Sequence, residues 1–126
     1  MTGRARVLLA AALLAAGPGL AGAQDAPDEG RELLGDAETG QKALRQYACT
    51  TCHVVPGIVG ASVHVGPPLE GMATRRYIAG VLPNRPENMI RWLMDPQEVD
   101  PLSAMPDLGV TPEHARDIAA YLYGLD

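Results

Sequence analysis

The chain has two cysteines, and they stand together with a histidine as Cys49-Thr50-Thr51-Cys52-His53. A C-x-x-C pair can support several kinds of chemistry. A dithiol–disulfide couple uses this spacing, but in a βαβ context that the surrounding pattern lacks. A zinc site needs four ligands, so both remaining ones must come from His53, His64 and His114, which no spacing groups together. A plain disulfide suits an oxidising compartment. With a histidine directly after the second cysteine, the pattern is C-x-x-C-H, the attachment signature of a c-type haem. Two thiols a helical turn apart can each form a thioether with a vinyl group on one porphyrin edge. The adjacent imidazole is then held against the iron.

The elements that must position these residues read as helices and long loops. Asp36 is a good N-cap for a helix from Ala37 to His53, with Gly40, Ala43, Leu44 and Tyr47 on its buried stripe. Gly40 costs stability in a helix interior, which points to close backbone packing there. Residues 54–70 carry Pro56, Gly57, Gly60, Gly66, Pro67 and Pro68 and read as irregular loop. A short helix is expected over Arg75–Val81. A full one is expected over Pro86–Met94, with Pro86 in its first turn and Pro96 stopping it. Met89, Ile90 and Leu93 share a face of that helix, with Trp92 beside them. Residues 95–110 again read as loop. Thr111 then caps a terminal helix with Pro112 at its first position and an apolar face of Ile118, Tyr121, Leu122 and Leu125. No strand pattern of convincing length stands out. The fold class is all-α, with three main helices joined by long loops, and wrapping a cofactor is a reason for loops that long. The chain has one Trp, four Tyr and no Phe, a composition compatible with a core built around a large apolar group.

The N-terminus reads as an address rather than as fold. Arg4 and Arg6 precede an apolar run from Val7 to Leu14 that continues to Leu20, and Ala21-Gly22-Ala23 is a small-residue cleavage pattern before Gln24. That is a secretory signal peptide over residues 1–23; an uncleaved amphipathic anchor is the rival reading. Residues 24–35 form a loose acidic lead-in, and one domain is expected over residues 36–126. Export places the protein in the periplasm, with no permanent membrane anchor. The formal charge is −5, and −7 without Arg4 and Arg6. That balance argues against nucleic-acid binding, which needs a basic footprint. Residues 24–38 carry a net −5, residues 39–94 a net +4 and residues 95–126 a net −6.

From about Asp36 to Leu125 the chain resembles the class I monohaem cytochromes c. Three landmarks carry the resemblance in order: Cys49-x-x-Cys52-His53, then Gly66-Pro67-Pro68-Leu69, then Met105-Pro106 ahead of a terminal helix. The resemblance implies the cytochrome c fold, in which the N- and C-terminal helices cross beside one covalent haem c with its iron. It also implies that the Pro67 carbonyl accepts a hydrogen bond from His53, fixing the tautomer and orientation of that ligand. One departure concerns packing: the family's aromatic four residues after its helix glycine is Leu44 here, with an aromatic only at Tyr47.

The second axial ligand decides between electron transfer and ligand or substrate chemistry. Met89 falls on a helix face and reads as core, Met94 ends that helix, Met72 sits close to the proximal segment, and His114 is expected to face solvent. Met105 lies in an irregular segment free to cross the distal side of a haem. His53 and Met105 are therefore the expected iron ligands, with His64 the runner-up for the second position. Arg75, Arg76, Tyr77, Arg85 and Trp92 are candidates to neutralise the propionates. The expected function is one-electron transport with redox partners of a respiratory chain, by a monomer that is not an enzyme. A haem subunit docked on an oxidase or dehydrogenase is the alternative. A peroxidase-like or gas-binding protein is less favoured, since no acid/base constellation lies near the motif. Arg75, Arg76, Arg85 and Arg91 lie between the motif and the Met105 loop, so a neutral to acidic partner surface is expected.

Overall fold

The computed structural model describes residues 30–60 and 65–125. The expected signal peptide, residues 24–29 of the lead-in, and His64 lie outside the described residues. Helix α1 spans Ala37–Gln46, β1 Tyr77–Ile78, β2 Leu82–Pro83, α2 Pro86–Met94, α3 Pro96–Val99 and α4 Pro112–Tyr123. Single 3₁₀ turns occur at Arg31–Leu33, Cys49–Thr51 and Met72–Thr74. The described chain is mostly helical with one small hairpin, as the all-α expectation holds.

Helix α1 begins where its cap requires. The Asp36 carboxylate accepts the Thr39 N–H at 2.7 Å and satisfies one of the free donors of the first turn. The helix does not run on to His53. It ends at Gln46, and Ala48 adopts φ 55°, a left-handed conformation that an α-helix cannot contain. The motif that follows therefore sits on a separate 3₁₀ turn, with its own direction. Helix α2 has the expected limits. Helix α4 starts as expected, with Thr111 Oγ1 accepting the His114 N–H at 3.2 Å, and ends at Tyr123, short of Leu125 on its expected apolar face.

Two expected elements are replaced. The short helix over Arg75–Val81 is instead an antiparallel hairpin that pairs Tyr77 with Pro83 and Ile78 with Leu82. Ala79 at φ 51° and Gly80 at φ 78° make its turn, which has the positive-φ pair of a type I′ hairpin. Within the expected 95–110 loop, Asp95 accepts the Glu98 N–H at 2.8 Å and caps the short α3, with Pro96 at its first position.

The core lies where α1 and α2 pack against α4. Leu44, Met89, Trp92, Leu93, Ile118 and Leu122 fill it. A Cβ at Gly40 would collide with the Asp117 carbonyl and lie 2.9 Å from Ile118 N, so the backbones of α1 and α4 touch there. Gly40 thus packs on Asp117 and Ile118. Tyr121 instead reaches sideways, donating its hydroxyl to Pro56 O at 2.6 Å and accepting from Gln41 Nε2 at 3.2 Å. That link ties the helix crossing to the loop beyond His53. Among the described residues, no helix is long and apolar enough to cross a membrane.

Candidate functional site

The left-handed Ala48 starts the site. After it, the Cys49 carbonyl accepts both the Cys52 N–H at 3.2 Å and the His53 N–H at 2.9 Å. Thr51 Oγ1 donates to Ala48 O at 2.7 Å and closes the same turn. Cys49 is buried and Cys52 half-buried, and both are free thiols. Burial pushes the Cys49 thiol above its ordinary value, because the charged thiolate is poorly solvated there. The turn delivers two unpaired thiols and an imidazole together.

A second strand of chain is laid against this turn. Gly66 N–H donates to Cys52 O at 2.8 Å and Leu69 N–H to Val54 O at 2.9 Å. Between those two donors stand Pro67 and Pro68, which have no N–H of their own. His53 Nδ1 lies 2.7 Å from the Pro67 carbonyl. A carbonyl can only accept, so Nδ1 carries the hydrogen and Nε2 keeps the lone pair that a metal would take. Gly66 lies against the face of this ring. A Cβ there would clash with Cε1 and lie 2.7 Å from Nδ1 and 2.8 Å from Nε2.

Arg75 fixes the far end of the strip. Its Nη2 donates to Pro68 O at 2.5 Å and Glu70 O at 2.8 Å, so its guanidinium is engaged with backbone. Of the other residues considered for propionates, Trp92 is buried, while Arg76, Tyr77 and Arg85 are exposed. The Pro68–Leu69 peptide unit is held at both ends, by Arg75 on its carbonyl and by Val54 on its N–H. Sequence reasoning did not single out Gly66 for its contact with the imidazole or Arg75 for its carbonyls. The Gly-Pro-Pro run was the available signal: consecutive prolines leave carbonyls without the partners that regular structure supplies.

Met105 stands in a different segment, half-buried at the edge of the core. Its N–H donates to Ser103 Oγ at 3.1 Å, and the Ser103 N–H donates to Asp100 O at 2.9 Å. Met72 and Met89 are buried in the core and Met94 is half-buried. His114, expected to face solvent, is half-buried instead. Its Nδ1 lies 2.9 Å from Tyr47 Oη, and the two rings meet edge to face at 5.6 Å. Tyr47 Oη also accepts the Thr111 N–H at 3.4 Å, which ties the end of α1 to the start of α4. The structure therefore joins Cys49, Cys52, His53 and Pro67 in one hydrogen-bonded unit, with Met105 on a separate segment.

These residues fit haem c. The thiols are not bonded to each other, the imidazole presents an unused Nε2, and a glycine lets the chain lie flat on the ring. Val59, Val65 and Leu102 are 98%, 75% and 93% exposed on the segments that follow His53 and precede Met105. Such side chains are what a large apolar group would cover. Among the described residues, no three His, Cys, Asp or Glu side chains converge as a metal cluster.

The family profile described as cytochrome c matches residues 37–126. The chain belongs to the cytochrome c family. Membership of that family implies haem c with iron as the cofactor. The cytochrome is also 32% identical over 90 residues to cytochrome c oxidase subunit 2 of Alkalihalophilus pseudofirmus, a match covering 71% of this chain and 25% of that protein. The chain thus spans about a quarter of that relative's length.

Proposed function

We propose that this cytochrome is a periplasmic one-electron carrier with a single haem, exchanging electrons with a respiratory complex. Cys49 and Cys52 would hold the haem covalently, and His53 and Met105 would ligate its iron. The observation that carries this reading is the contact between His53 Nδ1 and the Pro67 carbonyl. It selects the tautomer that presents Nε2 and makes the imidazole a stronger donor. When bound, the haem supplies the iron couple that stores one electron. This chain's own residues would hold the imidazole through the Pro67 carbonyl, lay Gly66 on its ring, and contribute the Met105 thioether. A thioether is a soft, uncharged ligand that favours the ferrous state and raises the reduction potential. Export by residues 1–23 fits the compartment in which this haem is attached. A second reading, a haem subunit docked on an oxidase, is supported by the match to an oxidase subunit 2 over a quarter of its length.

A pyridine haemochrome spectrum combined with acid–acetone extraction tests the attachment. Haem should remain with the protein, and complete extraction would rule out thioethers at Cys49 and Cys52. The Met105→Ala variant should lose the weak long-wavelength sulfur-to-iron band of the oxidised protein. Persistence of the band would move the ligand to another methionine. Purification without detergent, followed by sizing, separates a free carrier from a bound subunit.

A further inference from the structure

The turn after His53 is clamped from both helices of the α1–α4 crossing. Tyr121 of α4 donates its hydroxyl to Pro56 O at 2.6 Å. Gln41 of α1 donates one amide hydrogen to Gly57 O at 3.1 Å and the other to Tyr121 Oη at 3.2 Å. Every donor of this bracket is engaged, since the amide has two hydrogens and the hydroxyl one. The two carbonyls belong to the peptide planes on either side of Gly57, so the bracket fixes the conformation of that residue. Gly57 has φ 77°, and a Cβ there would lie 2.6 Å from Tyr121 Oη. Burial already anchors the turn: Ile58 N–H donates to Val55 O at 3.1 Å, and both side chains lie in the core. What the bracket adds is orientation.

The clamped turn leads back to the histidine through Val54. The Val54 side chain is exposed, but its carbonyl accepts the Leu69 N–H at 2.9 Å. The Gly66–Leu69 strip is thus held by two carbonyls. One is Cys52 O, set by the motif turn, and the other is Val54 O, set by the turn that the bracket holds. Pro67 lies between these attachment points, and its carbonyl is the one that meets His53 Nδ1 at 2.7 Å. A hydrogen bond weakens steeply as its length and angle depart from the optimum. A small displacement of Val54 O therefore reaches the imidazole. The same loop also closes over the attachment motif, since a Cβ at Gly60 would lie 2.6 Å from Thr50 Cβ.

Resting on the reading of His53 as an iron ligand, we propose that Gln41 and Tyr121 are positioning residues for it. Through the 55–58 turn and Val54 they set the strength of the His53–Pro67 hydrogen bond, and with it the donor strength of Nε2. A strong bond from Nδ1–H gives the imidazole more anionic character, which favours ferric over ferrous iron. A loosened bracket therefore raises the reduction potential. The hydroxyl of Tyr121 carries this effect, and its ring serves the packing.

The test uses the haem-loaded protein. Tyr121→Phe keeps the ring and removes the hydroxyl, while Gln41→Leu removes both amide donors at similar volume. Each should move the ferrous-to-ferric ratio at fixed potential about threefold toward ferrous, which is about 30 mV upward at about 59 mV per tenfold for one electron. Exchange of the His53 Nδ1–H with solvent, read by NMR in the ferrous protein, should quicken about tenfold. The double variant should move neither readout beyond the larger single effect, because both residues act through one bracket. Tyr47→Phe is the control. It deletes a hydroxyl elsewhere on the same helix crossing, and should lower thermal stability while moving neither readout. If Tyr121→Phe takes up no haem, Gln41→Leu carries the same test in the same direction. A potential that falls, stays in place, or rises equally in Tyr47→Phe overturns the proposal and leaves the bracket a structural clamp. If the wild-type ferrous protein shows no His53 ring protons displaced by the haem, the ligand reading fails instead. Nδ1–H exchange in the same spectra then still decides whether the bracket governs the bond to Pro67.

Discussion

Gly40 and Gly66 are both required by close approach, but what approaches them differs. Gly40 meets the backbone of α4, where regular helices on both sides leave little freedom to yield. Gly66 meets the imidazole of His53, on a strip held by two backbone hydrogen bonds and by Arg75. Neither glycine sits in the left-handed region, so space alone excludes a side chain at both. The helix crossing is a self-sufficient piece of packing. The strip is an adjustable mount whose job is to aim one ring. The difference separates residues that hold the fold from those that hold the ligand.

Gly40→Ala presses on that difference hardest. A glycine-to-alanine change in a helix would ordinarily help by about 0.5–1 kcal/mol, but the collision with Asp117 reverses the sign. A loss of about 4 kcal/mol is expected, close to the whole stability of a small domain, and chemical denaturation would read it. A loss below about 1 kcal/mol would mean the crossing can widen as easily as a loop.

Gly66→Ala should cost less, about 2 kcal/mol, because a strip can shift where a helix cannot. Its signature is at the ligand: poorer haem incorporation and an altered visible spectrum, with helical circular dichroism unchanged. Equal loss of helix signal would erase the distinction between the two regions. Tyr47→Phe is milder again. It removes the hydroxyl shared by His114 and Thr111, so about 1 kcal/mol should be lost in thermal denaturation, with the haem spectrum intact.

The smallest effect is a pH dependence at Asp36. The Thr39 N–H holds its carboxyl below the ordinary value of 3.8, with a lesser contribution from Lys42. A depressed pKa means the stabilisation is present above the ordinary value and fades as pH falls through the folded one. Asp36→Asn should keep the cap at neutral pH, since asparagine also caps well, and should flatten the acid limb of the stability curve. An acid limb as steep as that of the wild type would assign the dependence to other carboxylates.

The helices were legible because their signals are local. Asp36, Pro86, Thr111 and Pro112 act within one turn of where they stand, and the starts of α1, α2 and α4 follow from them. The Cys49-Thr50-Thr51-Cys52-His53 motif was legible because its three chemical groups are neighbours along the chain. The hairpin was not, since its turn depends on Ala79 taking positive φ, which no local preference of alanine announces. The end of α1 was missed for the same reason at Ala48. His114 was misplaced because its partner Tyr47 lies 67 positions away.

By itself, then, the sequence determined the helices, the thiol–thiol–imidazole set and the family landmarks, all carried by residues close together along the chain. The Pro67 carbonyl as partner of His53 was already implied by the family landmarks; only the tertiary structure decided that Gly66 lies on the His53 ring, and that Arg75 is bound to backbone while Arg76 and Arg85 stay exposed. Those outcomes turn on distances between segments, and sequence spacing does not set such distances once irregular loops join them.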